Sequence, residues 1–273
     1  MPGELTAQQF QQFQEYIYTT CGIRIPDIKR VLLTNRLKRR LKALQLDTFD
    51  AYYSLVTSPA GQSEREGFLD AITTNETFFF RTEKHFEWFS TTFISELTHQ
   101  AARGEREKTL RVWSAACSTG EEPYSLAICL TKNQLRLRDW TLEVIGTDIS
   151  EQVLQAAKSG RYGERALREI NDMQRRRSFR QTDDGKQWQI RPDIQQLVSF
   201  QFHNLMEPFR AAPFDCIFIR NVLIYFDRES KQKVIANLVR SMKDGAYLVV
   251  GPTEGIFDML GMLKKHSEFL YQK

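Results

Sequence analysis

Trp113-Ser-Ala-Ala-Cys-Ser-Thr-Gly-Glu-Glu-Pro-Tyr-Ser125 is the stretch that decides how this chain is read. It follows a β-prone run, Leu110-Arg-Val112, and precedes a helix-like apolar run, Leu126-Ala-Ile-Cys-Leu130. A strand, a turn of very small residues and then a helix is how α/β proteins bring backbone close to a nucleotide-like ligand. Ala115, Ala116, Ser118 and Gly120 have little or no side chain, so a ribose or amino-acid moiety can lie against the main chain. Phosphate loops usually carry several glycines or a Gly-Lys-Ser/Thr end. This turn has a single glycine followed by two carboxylates. Glu121 and Glu122 repel a pyrophosphate and favour a cation such as an ammonium or a sulfonium. That points away from NAD or ATP and toward S-adenosylmethionine. The competing account is an ordinary strand-to-helix turn whose first-turn glutamates answer the helix dipole.

Outward from this turn the chain alternates. Strand-like Leu110–Ala115, helix-like Pro123–Leu135, strand-like Thr141–Gly146 and helix-like Ser150–Ser159 follow one another as βαβ units do. A buried strand at Phe214–Ile219, a helix near Glu229–Met242 and a strand at Ala246–Gly251 continue the pattern, with Phe269–Tyr271 expected as a closing edge strand. The expectation is an α/β, mostly parallel sheet flanked by helices. Residues 161–202 break the rhythm: Arg161–Met173 reads as a charged helix, and short polar β-like pieces surround the turn Asp183-Asp-Gly185. An interruption of that length is a decoration with its own task.

Residues 1–72 read as helices only. Thr6 is a candidate cap for a helix carrying Phe10, Phe13 and Ile17, with Gly22 as its stop. Leu33, Leu37, Leu41 and Leu44 form one stripe of a second helix over Lys29–Leu44, and further helices fit Thr48–Thr57 and Glu64–Ile72. Residues 73–108 are expected to link this helical domain to the sheet domain of residues 109–273, mainly as a helix over Thr82–Arg103.

The 273 residues suffice for one large or two small domains, and 41% hydrophobic with 26% charged residues is ordinary for a globular protein. No apolar run approaches the roughly 20 residues of a membrane span, so direct membrane insertion is not expected. Cys21, Cys117, Cys129 and Cys216 are far apart and mostly inside apolar runs, which suits buried thiols in a reducing cytoplasm and supports no metal site. With a net charge of +4, a basic binding surface must be a local patch.

Four further segments are candidates for chemistry. Asp148, at the end of Ile145-Gly-Thr-Asp148, lies 28 residues after Gly120 and can accept two hydrogen bonds from a ribose diol; a place near the next helix cap, with Ser150, is the alternative. Asn221 and Tyr225 follow the buried run Phe214–Ile219, at the strand end where open sheets bind ligands. Thr74-Asn-Glu-Thr-Phe-Phe-Phe-Arg81 suits either a ligand clamp or a hydrophobic hinge plug. Arg36, Arg39 and Arg40 share a helix flank within a run of seven cations and no acid between Lys29 and Lys42. No aromatic residue is interleaved there for base stacking, so an acidic protein surface fits at least as well as nucleic acid. The four scattered histidines compose no hydrolytic triad.

Together, Thr74–Arg81, Trp113–Ser125 and Arg220-Asn-Val-Leu-Ile-Tyr-Phe226 resemble, in order, the motifs of CheR-type chemotaxis receptor methyltransferases, over nearly the whole chain. The resemblance implies a methyltransferase sheet with a helical N-terminal domain and a small β-subdomain, about residues 161–202. It implies S-adenosylmethionine binding, with S-adenosylhomocysteine as product, by Asn75, Thr77, Arg81, Glu122, Asp148, Asn204, Leu205, Asn221 and Val222. Which of Glu121 and Glu122 makes the contact stays open. The implied reaction is methyl transfer to glutamate carboxylates on the cytoplasmic helices of transmembrane chemoreceptors, by a cytoplasmic monomer recruited to receptor arrays. Arg81 and Tyr225 are the candidates for aligning the substrate, and Arg36, Arg39 and Arg40 for docking it.

Two departures stand out. Gly251-Pro-Thr-Glu254 replaces the frequent Gly-His-Ser-Glu, at a place expected to lie away from the ligand. The β-subdomain turn Arg180-Gln-Thr-Asp-Asp-Gly-Lys186 has only one glycine, which suggests independence from a receptor C-terminal pentapeptide. A nucleic-acid methyltransferase is the alternative enzyme, although Arg220-Asn-Val-Leu lacks the prolines of an Asp/Asn-Pro-Pro-aromatic strand end. A non-catalytic S-adenosylmethionine-binding adaptor is the third reading.

Overall fold

The computed structural model describes residues 2–273. Four helices come first: α1 (Ala7–Cys21), α2 (Arg30–Leu44), α3 (Phe49–Thr57) and α4 (Gln62–Ile72). Thr6 caps α1 in a reciprocal capping box with Gln9, and Gly22 ends it. The stripe Phe10–Phe13–Ile17 meets Leu33, Leu37 and Leu41 of α2, with Tyr52 and Phe68 closing a core of their own.

A continuous helical rod follows, as α5 (Glu83–Trp88), a π-helical turn over Phe89–Phe93, and α6 (Ile94–Ala102). The π turn lets both Phe89 and Phe93 bury. Beyond it run β1 (Thr109–Ala115), α7 (Glu121–Lys132), β2 (Thr141–Asp148) and α8 (Glu151–Ser159). Then come β3 (Arg161–Tyr162), α9 (Asp172–Ser178), β4 (Phe179–Gln181), β5 (Trp188–Ile190), α10 (Pro192–Gln195) and β6 (Val198–Phe202). The chain closes with β7 (Phe214–Ile219), α11 (Arg228–Arg240), β8 (Met242–Val250), β9 (Lys264–Lys265) and β10 (Leu270–Gln272).

Seven strands form one sheet in the order β6-β2-β1-β7-β8-β10-β9. The first five are mutually parallel, and β10 is antiparallel to both neighbours. β7 is buried at every residue, as a central parallel strand covered on both faces must be. Ala115 is level with Thr147 of β2 and with Ile219 of β7, so three strands end together. At β1 the strand order reverses direction, and that edge is where an open α/β sheet binds ligands.

Three expectations need correction. Phe269–Tyr271 is not the sheet edge: β10 sits inside, and the outermost strand is Lys264–Lys265, two cations that discourage edge-to-edge pairing. Arg161–Met173 is not helical: it opens with β3 and passes through turns, and α9 begins only at Asp172, capped by Asn171. The interruption itself divides. β3, β4 and β5 make a separate antiparallel sheet, whereas Val198–Phe202 pairs with β2 as a strand of the main sheet.

Candidate cofactor and methyl-transfer site

The turn after β1 is held in an unusual backbone. Ala116 and Ser118 have φ of 58° and 50°, and Gly120 has φ of 92°. Left-handed conformations at non-glycine residues cost about 1 kcal/mol or more each and persist where the surroundings impose them. Here the Asp148 carboxylate imposes them: it accepts the Ser118 N–H at 2.9 Å and the Ser150 N–H at 3.0 Å. Glycine at 120 is also a matter of space, because a Cβ would lie 2.8 Å from that of Ala157. Asp148 therefore does hold the start of α8, as the capping account has it, and it also lines the ligand cavity. Burial raises its pKa above the usual aspartate value, opposed by these backbone donors.

The glutamate pair splits. Glu121 turns inward, buried, with Oε2 accepting from the Thr119 hydroxyl at 2.7 Å, and burial raises its pKa. Glu122 faces the cavity, where it accepts from Ser114 Oγ at 2.7 Å and pairs with Arg220 Nη1 at 2.8 Å. Glu122 is thus the one placed for a ligand, with part of its charge answered by Arg220. Arg220, the first residue of the Arg220–Phe226 motif, was assigned no role from sequence; its Nη2 donates to the Arg81 carbonyl and its guanidinium lies over Phe86.

The segment 74–81 packs into the core on one side and lines the cavity on the other. Phe79 and Phe80 are buried in the sheet core, with the Phe80 N–H donating to Ser125 Oγ at 3.0 Å. Asn75, Thr77 and Arg81 line the cavity, and Arg81 Nη1 donates to the Glu76 carbonyl at 2.8 Å. On the opposite wall lie Asn221, Val222 and Tyr225 from the loop after β7, and Asn204 and Leu205 from the loop after β6. The Asn204 side chain is largely committed: its Nδ2 donates to the Thr20 carbonyl at 2.7 Å and its Oδ1 accepts from Met206 N.

The remaining wall comes from the helical domain, which nothing in the sequence motifs announces. Ile23 and Arg24 follow α1 and pair with Phe226 and the Tyr225 carbonyl, and Lys29 Nζ sits 5.7 Å above the Tyr225 ring. Asp70 of α4 accepts from the Ser150 hydroxyl at 2.5 Å, a second tie to the sheet.

The basic flank of α2 does not survive as a triad. Arg36 lines the cavity, donating to the Ile72 carbonyl and to Thr74 Oγ1 at 2.8 Å. Arg40 forms a two-pronged pair with Glu64 at 2.6 and 2.9 Å, and Tyr52 donates to the same carboxylate. Only Arg39 is exposed. Sequence spacing puts three cations on one flank but cannot show a carboxylate 24 residues away packing onto it.

Glu254, in the segment expected to lie away from the ligand, is not among the residues lining the cavity. It is fully buried, and its carboxylate accepts the backbone N–H groups of Asn221 and Leu223, one layer behind the cavity wall. Among the described residues, no group of three or more His, Cys, Asp or Glu is arranged to hold a metal ion, and no helix is long and apolar enough to cross a membrane.

A parallel sheet whose central strands end at small-residue turns and buried carboxylates, with a helical domain over that edge, defines a methyltransferase of the S-adenosylmethionine class. Residues 75–269 match the family "CheR methyltransferase, SAM binding domain", and residues 8–73 match "CheR methyltransferase, all-alpha domain". A probable chemotaxis protein methyltransferase of Rhizobium etli is 34% identical over 257 residues, covering 90% of this chain and 94% of that protein. The chemotaxis protein methyltransferase of Salmonella typhimurium is 34% identical over 271 residues, covering 98% and 90%. That of Vibrio parahaemolyticus is 31% identical over 275 residues, covering 98% of each. The chain belongs to the CheR methyltransferase family, and its cofactor is S-adenosylmethionine.

Proposed function

We propose that this protein methylates glutamate side chains on the cytoplasmic helices of bacterial chemoreceptors. One observation carries the reading. A single cavity is lined by residues of the sheet's carboxyl edge and by Lys29, Leu32 and Arg36 of the helical domain, so cofactor and an acidic side chain would share it.

The residues fit the cofactor. Asp148 retains lone pairs for ribose hydroxyls, the Ala116–Ser118 turn offers bare backbone, and Glu122 with Arg81 suits the charged methionine end. When bound, S-adenosylmethionine supplies a methyl carbon whose bond to sulfur breaks, its electron pair staying on sulfur, as the carboxylate oxygen bonds to that carbon. The chain's own residues need move no proton, since a glutamate side chain in water ionises near pH 4.3, about three units below neutrality. Their work is alignment and exclusion of water, through Tyr225, Asn221 and the 74–81 segment.

The docking face we propose is narrower than the sequence suggested: Arg39 with Lys42, both exposed and three residues apart on one face of α2. Independence from a receptor pentapeptide remains our reading of the β4–β5 hairpin, closed tightly by Gly185 N–H to the Thr182 carbonyl at 2.8 Å. The deciding experiment is tritiated methyl transfer into receptor-bearing membranes, followed by alkali. Volatile, base-labile label is expected from carboxyl esters; stable label would overturn the reading in favour of N-methylation or nucleic acid.

A further inference from the structure

Between β7 and α11 the chain must turn from a buried strand to the cavity wall with little regular structure to help. Asn221 takes φ of 59°, and one short 3-10 turn, Leu223–Tyr225, completes the passage. The N–H groups at such a turn need acceptors. Glu254, from the loop after β8, supplies them: one oxygen accepts from Leu223 N at 2.8 Å and the other from Asn221 N.

The space for this carboxylate is reserved. A Cβ at Gly251 would lie 2.3 Å from Glu254 Oε1 and 3.2 Å from Asn221 N. Glu254 is 0% exposed, and among the described residues it forms no ion pair within 4.0 Å. Burying a carboxylate without an ion-pair contact is costly; burial raises its pKa, opposed by the backbone N–H groups of 221–223 and by the charge of Arg220. Such a cost persists where geometry at a functional site depends on it.

We propose that Glu254 is a positioning residue of the methyl-transfer site: it clamps the turn at 221–223 so that Asn221, Val222 and Tyr225 face the cavity. Glu254 itself touches neither substrate nor cofactor. The proposal rests on S-adenosylmethionine occupying that cavity.

The test is calorimetric titration of S-adenosylhomocysteine, well below the unfolding midpoint, into the wild-type chain, Glu254→Gln and Gly251→Ala. Glu254→Gln keeps the shape but turns an amide donor toward one N–H; Gly251→Ala keeps the charge but displaces the carboxylate. Loss of one charge-assisted bond predicts that each variant binds about tenfold or more weakly. Glu254→Asp, which keeps the charge with a shorter reach, should restore part of the affinity relative to Glu254→Gln. Wild-type affinity in both variants, with only a lowered unfolding midpoint, would reduce Glu254 to a structural residue and overturn the proposal. Failure of the wild-type chain itself to bind would instead remove the cofactor reading beneath it. Should Glu254→Gln not fold, Gly251→Ala and Glu254→Asp carry the same comparison.

Discussion

Arg220 Nη1 lies 2.8 Å from Glu122 Oε2, joining the end of β7 to the first turn of α7 behind the Ala116–Gly120 turn. The side chains are 3% and 13% exposed, so this pair belongs to the interior. Its value is conditional, because two buried charges lose hydration and regain it only through each other. Removing one partner is therefore much worse than having neither. Arg220→Met should cost about 3–5 kcal/mol in urea unfolding. The double variant Arg220→Met with Glu122→Gln should recover a substantial part of that stability without recovering cofactor binding. An additive loss in the double variant would show that the two groups act separately.

Asp148 holds two backbone donors and faces the cavity, so its replacement should affect turn and ligand together. Asp148→Ala should weaken S-adenosylhomocysteine binding by about 1.5–3 kcal/mol, the range for charge-assisted bonds. Calorimetry at constant ionic strength reads this directly, and unchanged affinity would take Asp148 out of the site.

Arg81 closes the 74–81 segment with its guanidinium half-buried rather than in a core. Arg81→Ala should abolish methylation and leave the unfolding midpoint within the usual range for surface changes, about 0.5 kcal/mol. Arg81→Lys distinguishes two roles: near-normal turnover would rule out two-pronged recognition of a carboxylate.

His85 gives the fold an acid limit. Burial, with Arg220 and Lys84 adding repulsion, lowers its pKa from 6.5 to about 3, and its ring stacks on Phe269 with centroids 4.3 Å apart. The folded state therefore binds fewer protons than the unfolded state between those values. Its contribution is fully present above pH 6.5 and is lost as pH falls toward 3, at a slope of at most about 1.4 kcal/mol per pH unit. His203, also lowered by burial, acts in the same direction. His85→Phe should flatten part of this acid limb in unfolding measured from about pH 7 to about pH 4. An unchanged slope would mean His85 titrates normally.

The sequence made some of this legible and hid the rest for physical reasons. The helical stripes and the β1–α7–β2–α8 alternation were legible because burial on one face or both imprints a period on the chain. The small-residue turn and Asp148 could be placed together because each stands at the end of a strand of the same βαβ pattern, and both line one cavity. The 161–202 stretch misled because β3 to β5 are two or three residues each, too short to show alternation. β6 misled because three of its five residues are exposed, so its alternation Val198-Ser-Phe-Gln-Phe202 reads as one more surface piece of the subdomain rather than a strand of the main sheet. The pairing of Arg40 with Glu64 and the bonds of Glu254 to the 221–223 turn were hidden for one reason: a charged residue's partner lies far away in sequence, and spacing along the chain says nothing about it.

That same pairing separates the cations of α2 by experiment. Arg40 faces Glu64 and Tyr52 inside the helical domain, while Arg39, one residue before it, is exposed. Charge reversal at Arg40 would set two carboxylates against each other in a site where Glu64 is 7% exposed. Arg40→Glu should therefore destabilise the helical domain by about 3–5 kcal/mol and lower activity through loss of fold. Arg39→Glu should leave the unfolding midpoint and S-adenosylhomocysteine affinity unchanged. It should raise the KM for receptor several-fold at low salt, because like charges slow the encounter of enzyme and acidic helix. The difference from wild type should shrink as salt approaches about 1 M, where screening acts within about 3 Å. A KM for receptor that ignores both Arg39→Glu and salt would show that this face does not meet the substrate.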